Sequence, residues 1–329
     1  MLVINEKDQK ELLSMEEAIE AVSKALSEFS QRRAISPVRH AIPVSKSNGT
    51  SLFMPSLVEA TGSLGIKFVS VFPGNKELGK KTIYGLMVLA DVATGEPLAV
   101  MDASYLTVLR TGAASGLATK LLARKDAKIA AVIGTGAQSR GLIQAILAVR
   151  PVEELRLFNR SAQKALELAN EIAEQYGKDR LFVRAVNSPE EAVKGADILV
   201  TATNSAAPVF PGECVDQGIH VNAVGSFRPE MQELPSLLVA KADKVVVESK
   251  EAALEESGDL LVPIREGLFS ADDIFAELGE IASGDKPGRE REEEITVFKS
   301  VGLAAMDVVV AKAMYDKAVS AGVGQIVSW

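Results

Sequence analysis

The 329-residue chain is poor in the residues from which the commonest site chemistries are built. It has one cysteine, Cys214, which excludes an intrachain disulfide and any cysteine-built zinc site. Its two histidines, His40 and His220, lie far apart in sequence and form no metal-binding spacing, so no metal is expected. Positive charge is in deficit: 36 Lys and Arg stand against 44 Asp and Glu, giving a net charge of −8. That balance argues against nucleic acid or an anionic membrane surface as the partner. No uninterrupted apolar run approaches the ~18 residues of a membrane helix. The opening residues, MLVINEKDQK, lack the apolar core of a secretory signal. A cytoplasmic protein is the expectation.

What is present is a chain with 47% hydrophobic residues, long enough for two domains with substantial cores. Ser14-Met-Glu-Glu17 has capping-box spacing, and Met15, Ile19, Val22, Leu26 and Phe29 then recur at helical intervals. Between Val38 and Ala103 short β-type runs follow, with Asp91–Glu96 as a hairpin connection. From Lys128 strand and helix alternate. Ile129–Ile133, Leu155–Asn159, Leu181–Val186, Asp197–Thr203, His220–Gly225 and Lys244–Glu248 read as six strands. Such alternation implies an α/β fold: a doubly wound parallel sheet of Rossmann type beside a β-rich α+β domain. The charge-dense stretch Ser283–Glu294 reads as a solvated loop or helix end. The following ITVFKSVGLAAMDVVVAKAMYDKAV reads as a long apolar-periodic helix that returns to the first domain. The expected boundaries are 1–119 with 303–329, and 120–302.

AAVIGTGAQSRG places Gly134-Thr-Gly136 directly after an apolar strand and before a helix. Gly134 permits the tight turn, and Gly136 lets backbone amides approach a diphosphate at the helix N-terminus. Ser139 replaces the third glycine of the fingerprint with another small residue. The second strand ends in Asn159-Arg160-Ser161 rather than in an acid. A neutral amide, a guanidinium and a hydroxyl suit a ribose 2′-phosphate, so NADP is expected ahead of NAD. By position, Thr201, Ala202 and Thr203 line the nucleoside side of the site.

Three cations sit in apolar or turn-like surroundings: Arg39, Lys67 and Arg110. A charge in such a setting is costly to bury without an anion. Together they could hold one carboxylate, although each alone also fits a snorkelling or ion-paired side chain.

LRTGAASGLATKLLA, VIGTGAQSRG, FNRS, the Gly225-Ser-Phe-Arg-Pro229 loop and VFKSVGLAAMD, in this order from end to end, resemble the ornithine cyclodeaminase/μ-crystallin family. The resemblance implies a homodimer with a Rossmann domain and a substrate-binding, dimerising domain. It implies that Arg39, Lys67 and Arg110 hold the substrate carboxylate. It also implies that Thr111, Gly134–Gln138, Asn159–Ser161, Thr201–Thr203, Val224, Gly225, Ser300, Val301 and Gly302 hold NAD(P). The substrates implied are amino acids and their imines.

In members that cyclise ornithine, an aspartate stands two residues before the proline of this loop; here that position is Phe227. Phenylalanine cannot shuttle protons, but it can wall a site for a ring-shaped substrate. The expectation is an NADPH-dependent reduction of Δ1-pyrroline-2-carboxylate to L-proline, with the piperideine homologue as a second substrate. Lys67 is the candidate catalytic residue, because a lysine in apolar surroundings can have a lowered pKa. Ornithine cyclodeamination, alanine dehydrogenation and dinucleotide-dependent binding without catalysis are the alternatives. Cys214, His40 and His220 are expected to be structural.

Overall fold

The computed structural model describes residues 1–177 and 179–328. It divides into two compact units: Met1–Arg110 joined by the segment from Leu303 onward, and Thr111–Gly302. The boundary expected at 119/120 thus falls earlier, inside the helix Ala103–Leu122. Nothing in the sequence marks that point. The helix contains no proline, and Gly112 and Gly116 lie within its unbroken run.

In the first unit, helix Met15–Ser30 begins at a complete capping box. The Ser14 hydroxyl accepts from the Glu17 amide at 3.2 Å, and the Glu17 carboxylate accepts from the Ser14 amide at 2.9 Å. Such a cap contributes about 1 kcal/mol. Met15, Ile19, Val22, Leu26 and Phe29 form its buried face. The sheet runs Gln325–Ile326, Leu2–Ile4, Pro97–Asp102, Ile83–Ala90, Ser63–Val71, Gly49–Val58, Ala34–Ile35, and His40–Val44 also pairs with Gly49–Val58. Leu2–Ile4 and Pro97–Asp102 are parallel; the other pairings are antiparallel. The expected hairpin is there: the Asp91 carboxylate accepts from the amides of Ala93 and Thr94. Helix Ala304–Ala321 packs on helix Met15–Ser30 and on the central strands, so the unit is closed by the end of the chain. His40, expected to pack, is exposed on its strand.

The second unit is an all-parallel sheet in the order Phe182–Ala185, Glu154–Phe158, Ile129–Ile133, Ile198–Thr201, His220–Ala223, Thr296–Lys299, Lys244–Val247, Ile274–Glu277. The six expected strands are present and two more join them. Thr296–Lys299 was read as the start of a helix. Its β-branched Thr296 and Val297 favour a strand, and Gly302, at φ 93°, breaks the chain before the helix at Ala304. Alternation then fills both faces. Ala130, Val132, Leu155, Leu157, Ile198 and Val200 enter one core, while Ala131, Ile133, Leu199, Val221, Val245 and Val297 enter the other.

Two arginines finish the helix Ala103–Leu122. Arg150 donates to the carbonyls of Thr119, Lys120 and Ala123, and Arg289 donates to that of Leu122 at 2.6 Å. Cations at a helix C-terminus oppose its negative dipole end and satisfy otherwise unpaired carbonyls. The stretch expected to be merely solvated is therefore anchored. Arg289 also donates to the carbonyls of Ile219 and Glu294 and to the Thr296 hydroxyl. Beside it His220 is fully buried, with Nδ1 2.9 Å from the Thr296 hydroxyl. Burial, reinforced by the nearby Arg289 charge, holds the His220 imidazole down to about 3. Among the described residues no helix is long and apolar enough to cross a membrane.

A pH dependence of stability follows. The unfolded imidazole binds a proton below about 6.5, whereas the folded one stays neutral to about 3, so stability falls as pH drops through this window. Between pH 6.5 and 4.5 the loss from this group should approach about 2.5 kcal/mol. Urea unfolding at both pH values should show the loss in the native chain and a much smaller one in His220→Gln.

Candidate functional site

Lys67 lies in the middle of strand Ser63–Val71, in register between Met54 and Met87, on the face turned toward helix Ala304–Ala321. Its ammonium donates to the Asp307 carboxylate at 2.7 Å, and Arg110 Nε lies 3.0 Å from the other oxygen of the same carboxylate. All three side chains are buried; Asp307 is wholly inaccessible. Arg39 follows the short strand Ala34–Ile35, and its charge acts on Lys67. The segment before it is tied down at two points. Ser36 Oγ accepts from the Ala305 amide, and Ser56 Oγ donates to the Ile35 carbonyl. The first unit thus brings Lys67 and Arg110 together on Asp307, with the charge of Arg39 acting on Lys67.

Burial pushes the Lys67 amine down to about 8. Asp307 opposes the shift, and the charges of Arg110 and Arg39 add to it. One carboxylate serves several cations here, so the cluster keeps an excess of positive charge to offer an incoming anion. Removing Asp307 would leave buried cations uncompensated, a loss of about 3–5 kcal/mol for such a partner.

The elements expected to hold a dinucleotide lie in the second unit. At Gly134, φ is 100° and a Cβ would stand 2.5 Å from the Ala202 carbonyl oxygen, so only glycine fits. Gly136 faces open space, as a backbone that must approach a ligand requires. Ser139 is buried, and its hydroxyl donates to the Gly134 carbonyl at 2.7 Å. The third fingerprint position therefore braces the turn as well as fitting it. Thr135 Oγ1 and Gln138 Oε1 are buried and have no hydrogen-bond partner among the described residues. The Thr135 hydroxyl and the N-terminal amides of helix Ser139–Val149 can donate to a diphosphate, whereas the Gln138 oxygen is an acceptor and suits a donor instead. Asn159 Oδ1 accepts from the Thr135 amide at 3.4 Å and its amide donates to the Ser161 carbonyl, joining this turn to the next. Arg160 and Ser161 are exposed. Thr111 is buried beside Gly112, where a Cβ would stand 2.4 Å from the Gly141 carbonyl oxygen; two helices meet closely there.

The loop after strand His220–Ala223 has no acid at Phe227, yet Glu233 folds back into it. The wholly buried Glu233 carboxylate accepts from the Thr201 hydroxyl, the Thr203 amide at 2.6 Å, the Gly225 amide at 2.7 Å and the Ser226 amide. A Cβ at Gly225 would meet Thr203 backbone and this carboxylate. Thr201, Thr203 and Gly225, expected at the cofactor, spend these donors on Glu233. Burial pushes the Glu233 carboxyl above the usual range; Lys299 opposes this and Asp259 reinforces it. Asp259 in turn accepts from the amides of Glu233 and Leu234 and from the Lys299 ammonium at 2.9 Å. Phe227 is half-buried, with the Arg228 guanidinium 5.6 Å from its ring centre. Ser300 donates its amide to the Ala223 carbonyl, Val301 is buried, and the Gly302 amide bonds Glu248. Val224 and Ala202 pack on the core beneath them, and Ala137 is exposed beside Gly136.

Asp307 and Glu233 escaped the sequence reading. Asp307 carried the signal that marked Lys67, a lone charge inside an apolar run (LAAMDVVVA). The helical period of that run hides it, because the charge falls on the buried face of the helix. Glu233, in EMQELP, has no comparable mark. Among the described residues no cluster of metal-ligating side chains occurs.

The chain is similar to known proteins along nearly its whole length. The model of the ornithine cyclodeaminase/mu-crystallin family matches residues 1–322. A Δ1-pyrroline-2-carboxylate reductase of Bacillus cereus is 55% identical over 99% of this chain and 99% of its own length. The structure of Thermococcus litoralis Δ1-pyrroline-2-carboxylate reductase in complex with NADH and L-proline superposes with a TM-score of 0.94 at 42% identity, covering 99% of this chain and 100% of that one. An archaeal alanine dehydrogenase dimer with bound NAD gives 0.92 at 37% identity, covering 100% of this chain and 99% of its own. The chain belongs to the ornithine cyclodeaminase/mu-crystallin family.

Proposed function

We propose that the chain reduces a cyclic ketimine carboxylate, with Δ1-pyrroline-2-carboxylate giving L-proline as the main reaction and Δ1-piperideine-2-carboxylate giving L-pipecolate as a second. It is an NAD(P)-dependent oxidoreductase acting on C=N bonds, the class of its reductase relatives. The observation that carries the reading is the buried cluster of Lys67 and Arg110 on Asp307, with Arg39 acting on it. It suits a single carboxylate attached to a small apolar ring.

When bound, a reduced nicotinamide dinucleotide supplies the hydride. Arg39 and Arg110 grip the substrate carboxylate, and fixing it in one orientation makes transfer effectively unimolecular. Lys67, with its pKa near 8, gives or relays the proton that completes the amine as the C=N bond becomes CH–NH. Phe227 supplies an apolar ring and no acid, which supports reduction over cyclodeamination, where an attacking amine and departing ammonia need proton transfers. Of the two acids of that loop's return, Glu233 is committed to four donors, and Glu230 is exposed, 3.9 Å from Arg228. Arg160, exposed at the end of strand Glu154–Phe158 with no acid in Asn159-Arg160-Ser161, supports a preference for NADPH.

We further propose a cytoplasmic homodimer formed through the sheet of the first unit. The face opposite Lys67 carries Phe53, Phe68 and Leu86 side by side in register, flanked by exposed Ile42 and Tyr84. So apolar a row on an open sheet face fits a second copy of itself.

Three measurements test these readings. A panel of cyclic imines, pyruvate with ammonia, and L-ornithine, each with both nicotinamides, should show fastest oxidation of NADPH with Δ1-pyrroline-2-carboxylate. Faster release of ammonia from ornithine would replace the reductase reading with the cyclodeaminase one, and no turnover of any imine despite tight dinucleotide binding would favour a binder. Arg160→Asp should raise the KM for NADPH about tenfold or more, as loss of a charge-assisted bond to phosphate does, while leaving NADH nearly unchanged; equal effects on both remove the 2′-phosphate role. Phe68→Glu should convert the dimer to monomer in sedimentation velocity, and an unchanged mass would place the interface elsewhere.

A further inference from the structure

The Lys67 ammonium and the Arg110 guanidinium do not converge on an empty space; each is drawn to a different oxygen of one internal carboxylate. Asp307 Oδ2 accepts from Lys67 at 2.7 Å and Oδ1 lies 3.0 Å from Arg110 Nε. The three come from separate elements: strand Ser63–Val71, helix Ala103–Leu122 and helix Ala304–Ala321. With all three side chains buried, the direction each cation points is decided by this one anion. We propose that Asp307 is the positioning residue of the carboxylate clamp: it orients Lys67 and Arg110 toward the substrate and holds Lys67 as an ammonium in the working pH range. This rests on the reductase reading for the meaning of the clamp.

The charge environment is nearly closed. The groups facing Lys67 are Asp307, Arg110 and Arg39. Of the strands that pack on helix Ala304–Ala321, Gly49–Val58 carries no ionisable residue, Ile83–Ala90 carries only Tyr84, in register with Ser70 on the face opposite Lys67, and Lys67 is the only one on Ser63–Val71. On helix Met15–Ser30 the charged residues lie off the buried face, with Glu17 paired to Lys317, about three turns from Asp307. On the same helix as Asp307, Lys312 pairs with Asp316. Asp307 is therefore the one anion that opposes the burial of Lys67, while Arg110 and Arg39 work against it.

The signature is a pair of opposite shifts. Asp307→Asn keeps the shape of the side chain but removes its charge, so the alkaline limb of the kcat/KM profile for Δ1-pyrroline-2-carboxylate should move down by about one pH unit or more. KM for the imine should rise about tenfold or more, as loss of a charge-assisted contact does, with the dinucleotide Kd unchanged as the control for a folded second unit. Arg110→Gln removes a competitor for Asp307 and should move the Lys67 titration up. Both titrations are read directly as the Lys67 Cε signal in 13C-lysine-labelled protein, assigned with Lys67→Arg, so they hold even if the native chain turns over no imine. Should Asp307→Asn fail to fold, the Arg110→Gln shift against the native chain decides alone. An unmoved Lys67 titration in either folded variant, or an unmoved KM in Asp307→Asn of an active enzyme, overturns the proposal. Absence of turnover by the native chain overturns only the substrate assignment.

Discussion

Positive charge buried beneath a sheet must have an anion, and in the first unit that anion is one side chain. Asp307 compensates Lys67 and Arg110 at once and is wholly inaccessible to water. Its position explains much of the surrounding architecture. Helix Ala304–Ala321 has to lie against the central strands to deliver it, Ser36 has to tie the approach to Arg39 onto that helix, and Met54 and Met87 have to close over the lysine stem. A cluster left with more cations than anions is poorly stable by itself. An anion brought to it would supply the missing negative charge.

The second unit solves a related problem with the opposite sign. Glu233, buried beside Asp259, is held by four hydrogen-bond donors and by the charge of Lys299. Its work is to lock the exits of two parallel strands, Ile198–Thr201 and His220–Ala223, where an α/β sheet of this type presents its ligand-binding loops. The loop with Phe227 is in this sense not short of an acid; its buried acid is spent on the strand exits, and Glu230 stands exposed beside Arg228. What stands free at the turn is an aromatic ring partly covered by Arg228.

Much of this was legible in the sequence because local rules act within short windows. The capping box at Ser14, the Asp91 turn and the Gly134–Ser139 loop each depend on residues a few positions apart, and each formed as its pattern indicated. A shared role for Arg39, Lys67 and Arg110 was suggested by the cost of burying charge, but the carboxylate that Lys67 and Arg110 share lies 240 positions from Lys67. No window holds both. Thr296–Lys299 failed for another reason: a four-residue strand buried on both sides has no alternation to display, and it runs into a true apolar helix after one glycine. The division inside helix Ala103–Leu122 leaves no trace because the helix itself is continuous there.

The first unit is assembled from both ends of the polypeptide, and this has a consequence for biosynthesis. Lys67 and Arg110 leave the ribosome long before Asp307 does, and Thr111–Gly302 is made in between. A nascent or truncated chain can complete the parallel sheet of its second unit while the first still carries uncompensated cations and an uncovered sheet. The Lys67–Arg110–Asp307 cluster is thus completed only after the whole of the second unit has been made.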